Sequence, residues 1–87
     1  MAHILVHHKV DEFNKWKTVF NAHSEFRNAN GAVAEKVFRN ADDPNDVFVL
    51  LEFQSIESGK YFAQSESLKE AMKEAGVVGR PSVYFLE

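Results

Sequence analysis

The chain of 87 residues carries a formal net charge of −3 and contains no cysteine. This length predicts one domain over residues 1–87, and the lack of cysteine excludes disulfides and thiolate metal sites. No block of Lys and Arg stands out, so the sequence lacks the charge pattern of a nucleic-acid-binding protein. It has neither the pattern of a signal peptide nor a run of about 18 apolar residues, which predicts a cytoplasmic protein without membrane contact.

The first part of the chain predicts a strand followed by a helix. Residues 2–10 (AHILVHHKV) are typical of a strand, and Asp11 is suited to N-cap a helix over residues 12–29. Asn30 and Gly31 are expected to end this helix, because both tolerate a left-handed conformation. A period of 3.6 residues places one set of side chains on a single arc of the helix: Phe13, Trp16, Val19, Phe20, His23, Phe26 and Arg27.

The middle of the chain predicts an antiparallel hairpin and a second helical region. Residues 32–39 and 47–53 have the composition of strands, and the turn formers of residues 40–46 (NADDPND) predict a loop between them. Ser55 is expected to start the second helical region. A capping box at Ser67 and Glu70 predicts a break near residues 65–67, and Gly76 is expected to end the second of two short helices.

A last strand completes the pattern. Residues 77–81 predict a connection, and residues 82–87 (SVYFLE) predict the strand. The element order β-α-β-β-α-β with right-handed crossovers predicts an α+β, ferredoxin-like fold, in which a four-stranded antiparallel sheet carries its helices on one face.

The strands are apolar on both faces, which predicts self-association. Side chains alternate between the two faces of a strand, and in residues 47–53 both sets are mostly apolar. Helices can cover only one face, and monomers rarely expose an apolar patch of this size. We therefore expect a homodimer through the sheet face opposite the helices. The alternative is that Phe48, Leu50 and Leu86 lie beneath a loop.

Three stretches carry a resemblance to a known family: VHHKVDEFNKWKTVF (6–20), FRNADDP (38–44) and GVVGRPSVYFLE (76–87). With this element order and these two-faced strands, the whole chain resembles the antibiotic biosynthesis monooxygenase-like proteins of the dimeric α+β barrel superfamily. That superfamily hosts oxygenases, isomerases, haem-degrading enzymes and proteins of no known activity, so the resemblance implies a fold more strongly than an activity.

The resemblance implies a pocket between the sheet and the helices of each subunit. Cofactor-independent oxygenases of this superfamily bind polycyclic aromatic substrates there, and the substrate carbanion itself reacts with oxygen. Such a protein needs no cofactor and supplies a base, oxyanion donors and a dry cavity. The haem-degrading members carry a haem-ligating histidine on the second helix. Residues 55–75 contain no histidine, which argues against haem.

Two residues of the first helix are candidate catalytic residues. His23 is the candidate base, because an unperturbed imidazole has a pKa of about 6.5. The alternative is a packed histidine with one hydrogen bond. Arg27, one helical turn away, is the candidate partner for a substrate oxygen. Its alternative is an ion pair with Glu35 or Glu52.

Candidate substrate-binding residues are Trp16, Phe20, His7, His8 and Tyr84. Adjacent strand residues point to opposite faces, so one of His7 and His8 faces the helices, and the sequence leaves open which. The same divergence prevents the two from chelating one metal ion, and no metal site is expected. Trp16 and Phe20 would form an aromatic wall, although aromatic residues at helical spacing are more often core. Tyr84 would donate a hydrogen bond to an oxyanion, or else lie at an edge with its hydroxyl in water.

Three functions remain open on the sequence. The first is a cofactor-independent monooxygenase-like enzyme acting on a small apolar or aromatic molecule. The second is a non-catalytic dimeric module that binds a small ligand, and the third is an isomerase or cyclase on the same fold. A pocket beside His23 that is filled by the protein's own side chains would favour the second.

Overall fold

The computed structural model describes residues 2–87, and this part of the chain forms four strands and four helices. The strands are β1 (Ala2–Val10), β2 (Ala32–Asn40), β3 (Asp43–Phe53) and β4 (Val77–Leu86), and the helices are α1 (Phe13–Ala22), α2 (Ser24–Ala29), α3 (Ile56–Ala63) and α4 (Glu66–Glu74). All paired strands are antiparallel, in the order β2-β3-β1-β4. This topology confirms the α+β, ferredoxin-like fold expected from the sequence.

The core lies between one face of the sheet and the helices. Alternate residues of β1 and β3 are buried there, because strand side chains alternate between the two faces. Trp16 from α1, Phe62 from α3 and Ala75, which follows α4, are buried in the same core. The buried apolar residues of β1, β2 and β3 are Ala2, Ile4, Val6, Val10, Ala32, Val47, Val49, Leu51 and Phe53.

The opposite face of the sheet, called the outer face below, is also apolar. In the strand register Leu5 lies opposite Leu50 on one side and Tyr84 on the other, and His7 lies opposite Phe48. The outer face is defined by Leu5, His7, Phe38, Phe48, Leu50, Tyr84 and Leu86.

The predicted helix over residues 12–29 is wrong in one respect, because it is two helices separated by His23. The carbonyl of Phe20 accepts both from the backbone N–H of His23 and from the guanidinium of Arg27, so it does not continue a regular helix. The predicted cap is also wrong. The carboxylate of Glu12, and not that of Asp11, accepts from the first free backbone N–H groups of α1.

The predicted hairpin is confirmed, but its predicted loop over residues 40–46 is too long. Asn40 pairs with Asp43, so only residues 41–42 lie between β2 and β3. The amide oxygen of Asn40 accepts from the N–H of Asp42, and this Asx-type bond closes the turn. A two-residue turn therefore replaces the loop that the turn-forming composition predicted.

The expected break in the second helical region is confirmed, although its cap is Ser65 and not Ser67. The Oγ atom of Ser65 accepts from the N–H of Leu68, which leaves the Ser67 hydroxyl free for another contact. The predicted connection over residues 77–81 is wrong, because β4 already begins at Val77. An irregularity in its pairing with β1 accommodates Gly79, whose φ is 75°.

Candidate functional site

A small apolar cavity, called the inner cavity, lies between the sheet and the helices. Its volume is about 60 Å³. Strands β1 and β3 form its floor, and side chains of α1, α3 and α4 surround it. Four of the predicted site residues line it: His8, Trp16, Phe20 and His23, beside Val49, Leu51, Leu68 and Met72. The structure therefore brings two of the predicted histidines and the aromatic pair to one place.

His8 is the histidine of β1 that faces the helices. It lies opposite Val47 of β3, is buried with 5% of its surface exposed, and meets the edge of the Trp16 ring at a centroid distance of 5.6 Å. Its Nδ1 atom is buried and has no hydrogen-bond partner within residues 2–87. Burial lowers the pKa of His8, because desolvation disfavours the charged imidazolium. His8 is therefore a neutral ring with one unused polar atom beside an apolar cavity.

His23 occupies the break between α1 and α2. Its Nε2 atom lies 3.1 Å from the Oγ atom of Ser67, and its ring stacks on Phe26 at a centroid distance of 4.8 Å. Partial burial, and then the positive charge of Arg27, lower the pKa of His23. The break turns the imidazole towards the cavity, and the neutral form that results can accept a proton.

The aromatic wall consists of two stacked rings from α1. The rings of Trp16 and Phe20 lie 4.8 Å apart at an interplanar angle of 20°. They are one helical turn apart, which is the spacing at which side chains of a helix meet. Trp16 is 3% exposed. The two rings are packed in the core and also line the cavity. The core role and the pocket role that the sequence suggested for them therefore apply to the same side chains.

Arg27 is buried behind the wall and does not line the inner cavity. Its Nη1 atom donates to the carbonyl oxygen of Phe20 at 2.7 Å, and its Nη2 atom is 3.1 Å from both carboxylate oxygens of Glu35. The guanidinium carbon lies 3.7 Å from the centre of the Phe20 ring. Both terminal nitrogens are therefore occupied, and the ion pair with Glu35 that the sequence left as an alternative is present.

His7 and Tyr84 lie on the outer face, so the structure does not bring them to the cavity. The Nε2 atom of His7 lies 2.6 Å from an oxygen of Asp46, and its ring is parallel to that of Phe48 at 4.2 Å. Tyr84 pairs with Leu5. The physical reason is strand alternation, since the register that directs His8 towards the helices directs both of these side chains away from them.

A second, larger depression adjoins the inner cavity and is called the outer groove. It has a volume of about 430 Å³ and lies where β4 meets α3 and α4. Four side chains line both spaces: Val6, Phe62, Leu68 and Met72. The two spaces therefore adjoin across these side chains, among which the unbranched Met72 is the most flexible.

Sequence reasoning missed Ser67 and the residues of the outer groove. The capping-box pattern drew attention to Ser67, but for a different role from its contact with His23.

Within residues 2–87 no three His, Asp or Glu side chains converge as a metal site would require. None of the helices in the same range has the length and apolar character needed to cross a membrane.

Comparison with known proteins supports the fold. No family model and no curated protein matches the sequence. Solved structures do match. A Bordetella bronchiseptica protein provisionally assigned as an antibiotic biosynthesis monooxygenase superposes with a TM-score of 0.78 at 15% identity, covering 99% of this chain and 94% of that one. A Caulobacter crescentus protein with the same provisional assignment gives 0.76 at 19% identity, over 98% and 86% of the two chains.

A third solved structure has an activity in its name. SnoaB from Streptomyces nogalater, a cofactor-independent oxygenase, superposes with a TM-score of 0.75 at 11% identity, covering 95% of this chain and 89% of that one. The chain thus has the fold of the antibiotic biosynthesis monooxygenases, as the sequence resemblance implied. At these identities the likeness describes the fold and not the chemistry.

Proposed function

We propose that this protein binds a small, mostly apolar molecule between its sheet and its helices and acts on it as a cofactor-independent, monooxygenase-like enzyme. The observation that carries the proposal is the pair of histidines, His8 and His23, whose pKa values are both lowered beside one aromatic-lined cavity. A neutral imidazole in a dry site is a competent base near neutral pH. The fold shared with SnoaB, a cofactor-independent oxygenase, supports the same class of reaction.

In this proposal His23 is the base. Its imidazole takes a proton from an acidic C–H bond of the ligand, and the resulting carbanion transfers electrons to molecular oxygen. Conversion of a CH₂ group and O₂ to a carbonyl group and water balances atoms and electrons without a further reductant. The Ser67 hydroxyl, 3.1 Å from Nε2 of His23, orients the ring.

His8 and Arg27 have supporting roles. The unpartnered Nδ1 atom of His8 suits a hydroxyl or enol group on the ligand, which would satisfy a buried polar atom that is otherwise costly. Arg27 is a positioning residue, because its contacts with the carbonyl and ring of Phe20 hold the aromatic wall and the helix break that carries His23.

The size of the site sets a condition on the ligand. The inner cavity of about 60 Å³ is well below the roughly 300 Å³ at which small-molecule sites begin. A ligand next to His23 must therefore also extend into the outer groove, past the shared side chains Leu68 and Met72. The tightness of the inner cavity is also the observation that favours the second candidate function, a module that binds a small ligand without catalysis.

We also propose that the protein is a homodimer through the outer face. Phe38, Tyr84 and Leu86 of this face are 52%, 53% and 42% exposed in the single chain. Together with Leu5 and Leu50 at the centre, they leave an apolar sheet surface open to water, which a second copy would bury. This contact would leave the inner cavity and the outer groove accessible, because both lie on the helix side of the sheet.

The experiment that tests the proposed function follows proton exchange and oxygen uptake in the same sample. Anthrone, an aromatic ketone with an acidic CH₂ group, is the probe. We expect protein-dependent oxygen uptake that falls at least about 100-fold in His23→Gln, the range for loss of a catalytic base. His3→Gln, which changes a half-exposed histidine on the other side of β1, is the matched control.

The possible outcomes of this experiment distinguish the candidate functions. Deuterium exchange at the CH₂ group without oxygen uptake would indicate the isomerase or cyclase alternative. Saturable binding without exchange or uptake would indicate the non-catalytic module. Equal oxygen uptake in the wild type and in His23→Gln would contradict the role of His23 as base.

A further inference from the structure

The outer groove has features that the inner cavity lacks. Its volume of about 430 Å³ lies within the range of about 300–1,000 Å³ that is usual for small-molecule sites. Its floor is apolar and includes Ile4, Val77 and Val83. It opens on the helix side of β4, where Val83 is 36% exposed. An apolar surface of this kind suits a ligand tail.

The rim of the outer groove carries two positive charges. Lys69 and Lys73 line it from α4, four residues apart, so both ammonium groups lie on the same side of that helix. Lys69 has only a long contact to a carboxylate, 3.7 Å to Glu66, and no carboxylate lies within 4 Å of Lys73 among residues 2–87. The groove therefore places an apolar floor beneath two available cations, although the chain as a whole has a net charge of −3.

We infer that the outer groove selects ligands with an apolar tail and a carboxylate head, whose tail lies on the floor and whose carboxylate is bound by Lys69 and Lys73. The inference rests on the proposed function, since it names the chemical class of molecule that this two-part site takes. The apolar stems of the lysines extend the floor, and their ammonium groups remain at the rim in water. The tail points towards Met72, and through it towards His23.

Three probes with the same ten-carbon tail test the inference: sodium decanoate, 1-decanol and decyltrimethylammonium. We expect decanoate to bind more tightly than decanol by about 3- to 10-fold, since an exposed ion pair contributes modestly, and the ammonium to bind most weakly. Isothermal titration calorimetry gives the affinities. The location is read from the methyl signal of Met72 by NMR, which is simple to assign because the chain has only two methionines.

Paired variants test the role of the lysines. The double variant Lys69→Gln/Lys73→Gln is expected to lower the affinity for decanoate about 3- to 10-fold and to leave that for decanol unchanged. The control Lys9→Gln/Lys15→Gln removes the same charge from exposed lysines that do not line the groove, and it should change decanoate binding less than twofold. Equal affinities for decanoate and decanol, equal losses in the two double variants, or an unshifted Met72 signal would each overturn the inference.

A separate probe distinguishes this inference from the proposed function. Neutral 2-naphthol has no carboxylate for the lysines to bind, so it tests ligand binding beside His23 by itself, through the indole N–H signal of Trp16. Binding of 2-naphthol without binding of decanoate would overturn the carboxylate selectivity and leave the proposed function standing, whereas failure of both would reject both. Dissociation of a dimer by decanoate in sedimentation velocity would show that a second copy occupies the groove, and it would also overturn the inference.

Discussion

The Nε2 atom of His23 lies 3.1 Å from the Oγ atom of Ser67, in a hydrogen bond that joins the break between α1 and α2 to the first turn of α4. The two residues are 44 positions apart in the chain. Their contact, together with the stacking of the ring on Phe26, fixes the orientation of the imidazole at this helix end. It also ties α4 to the rest of the fold, although no residue of α4 is fully buried.

Substitution of Ser65 and of Ser67 distinguishes the residue that caps α4 from the residue that orients His23. Ser65→Ala removes the N-cap of α4 and should lower the free energy of unfolding by about 1 kcal/mol. Ser67→Ala keeps that cap but removes the partner of His23, so it should alter the imidazole ¹⁵N shifts of His23. Chemical denaturation and histidine NMR measure the two effects. Unchanged His23 shifts in Ser67→Ala would contradict the orienting role.

The stability of the protein should depend on pH through its buried histidines. Folding lowers the pKa values of His8 and His23, so below about pH 6.5 the unfolded chain binds more protons than the folded one. The free energy of unfolding should therefore be highest above about pH 6.5 and fall as the pH decreases from there. His8→Phe should reduce the slope between about pH 7 and 5. A wild type of constant stability across this range would contradict the account.

A separate acidic transition is expected from Asp46. Hydrogen bonds from Asn40 and then from His7 lower the pKa of this carboxyl group, so its contribution is lost only as the pH falls below about 4. The loss of this contribution begins at a lower pH than the histidine-dependent loss, which begins at about pH 6.5.

Loss of the Arg27 side chain should destabilise the protein. Arg27→Met leaves the carboxylate of Glu35 without its guanidinium partner and leaves the carbonyl of Phe20 with only the N–H of His23 as a donor. We expect the free energy of unfolding to fall by about 1–3 kcal/mol, less than for a fully buried ion pair, because Glu35 is 38% exposed and can regain water. Urea denaturation followed by Trp16 fluorescence measures this. Glu35→Gln should cost less, and the reverse order would contradict the importance of the guanidinium contacts with Phe20.

A charge at the centre of the outer face should prevent dimer formation. Leu50→Glu places a carboxylate opposite Leu5, on a strand pair that the proposed dimer buries. Sedimentation velocity should show a dimer for the wild type and a monomer for this variant. Tyr61→Glu, at a residue of α3 that is 70% exposed and lies away from the outer face, is the control and should remain dimeric. A monomeric wild type at micromolar concentration would contradict the proposed dimer.

Much of the fold follows from local patterns in the sequence. The helical period groups Trp16, Phe20 and His23 on one arc, and the structure finds all three around the inner cavity. Strand alternation likewise predicts that His7 and His8 diverge. The same alternation groups His8 with the apolar residues of β1, and it is this set that the structure buries against the helices.

The parts of the structure that differ from the sequence-based prediction depend on tertiary contacts. The break at His23 follows from the bond between Arg27 and the Phe20 carbonyl, and the short turn after β2 follows from the pairing of Asn40 with Asp43. Lys69 and Lys73 carry no signal in the sequence, because lysines on the exposed side of a helix are ordinary. Their position at the rim of the outer groove is visible only in the structure.

The central claim is that an apolar ligand binds beside His23, and the most direct measurement is an NMR titration of the Trp16 indole N–H signal with 2-naphthol. Trp16 is the only tryptophan and lines the inner cavity, so its signal is unambiguous. We predict a saturable shift in the wild type. In Ala71→Phe, whose larger side chain fills the same cavity, the affinity for 2-naphthol should be at least tenfold lower, which is a loss of about 1.4 kcal/mol or more in binding free energy. An unshifted signal, or equal affinities in the two proteins, would contradict the claim.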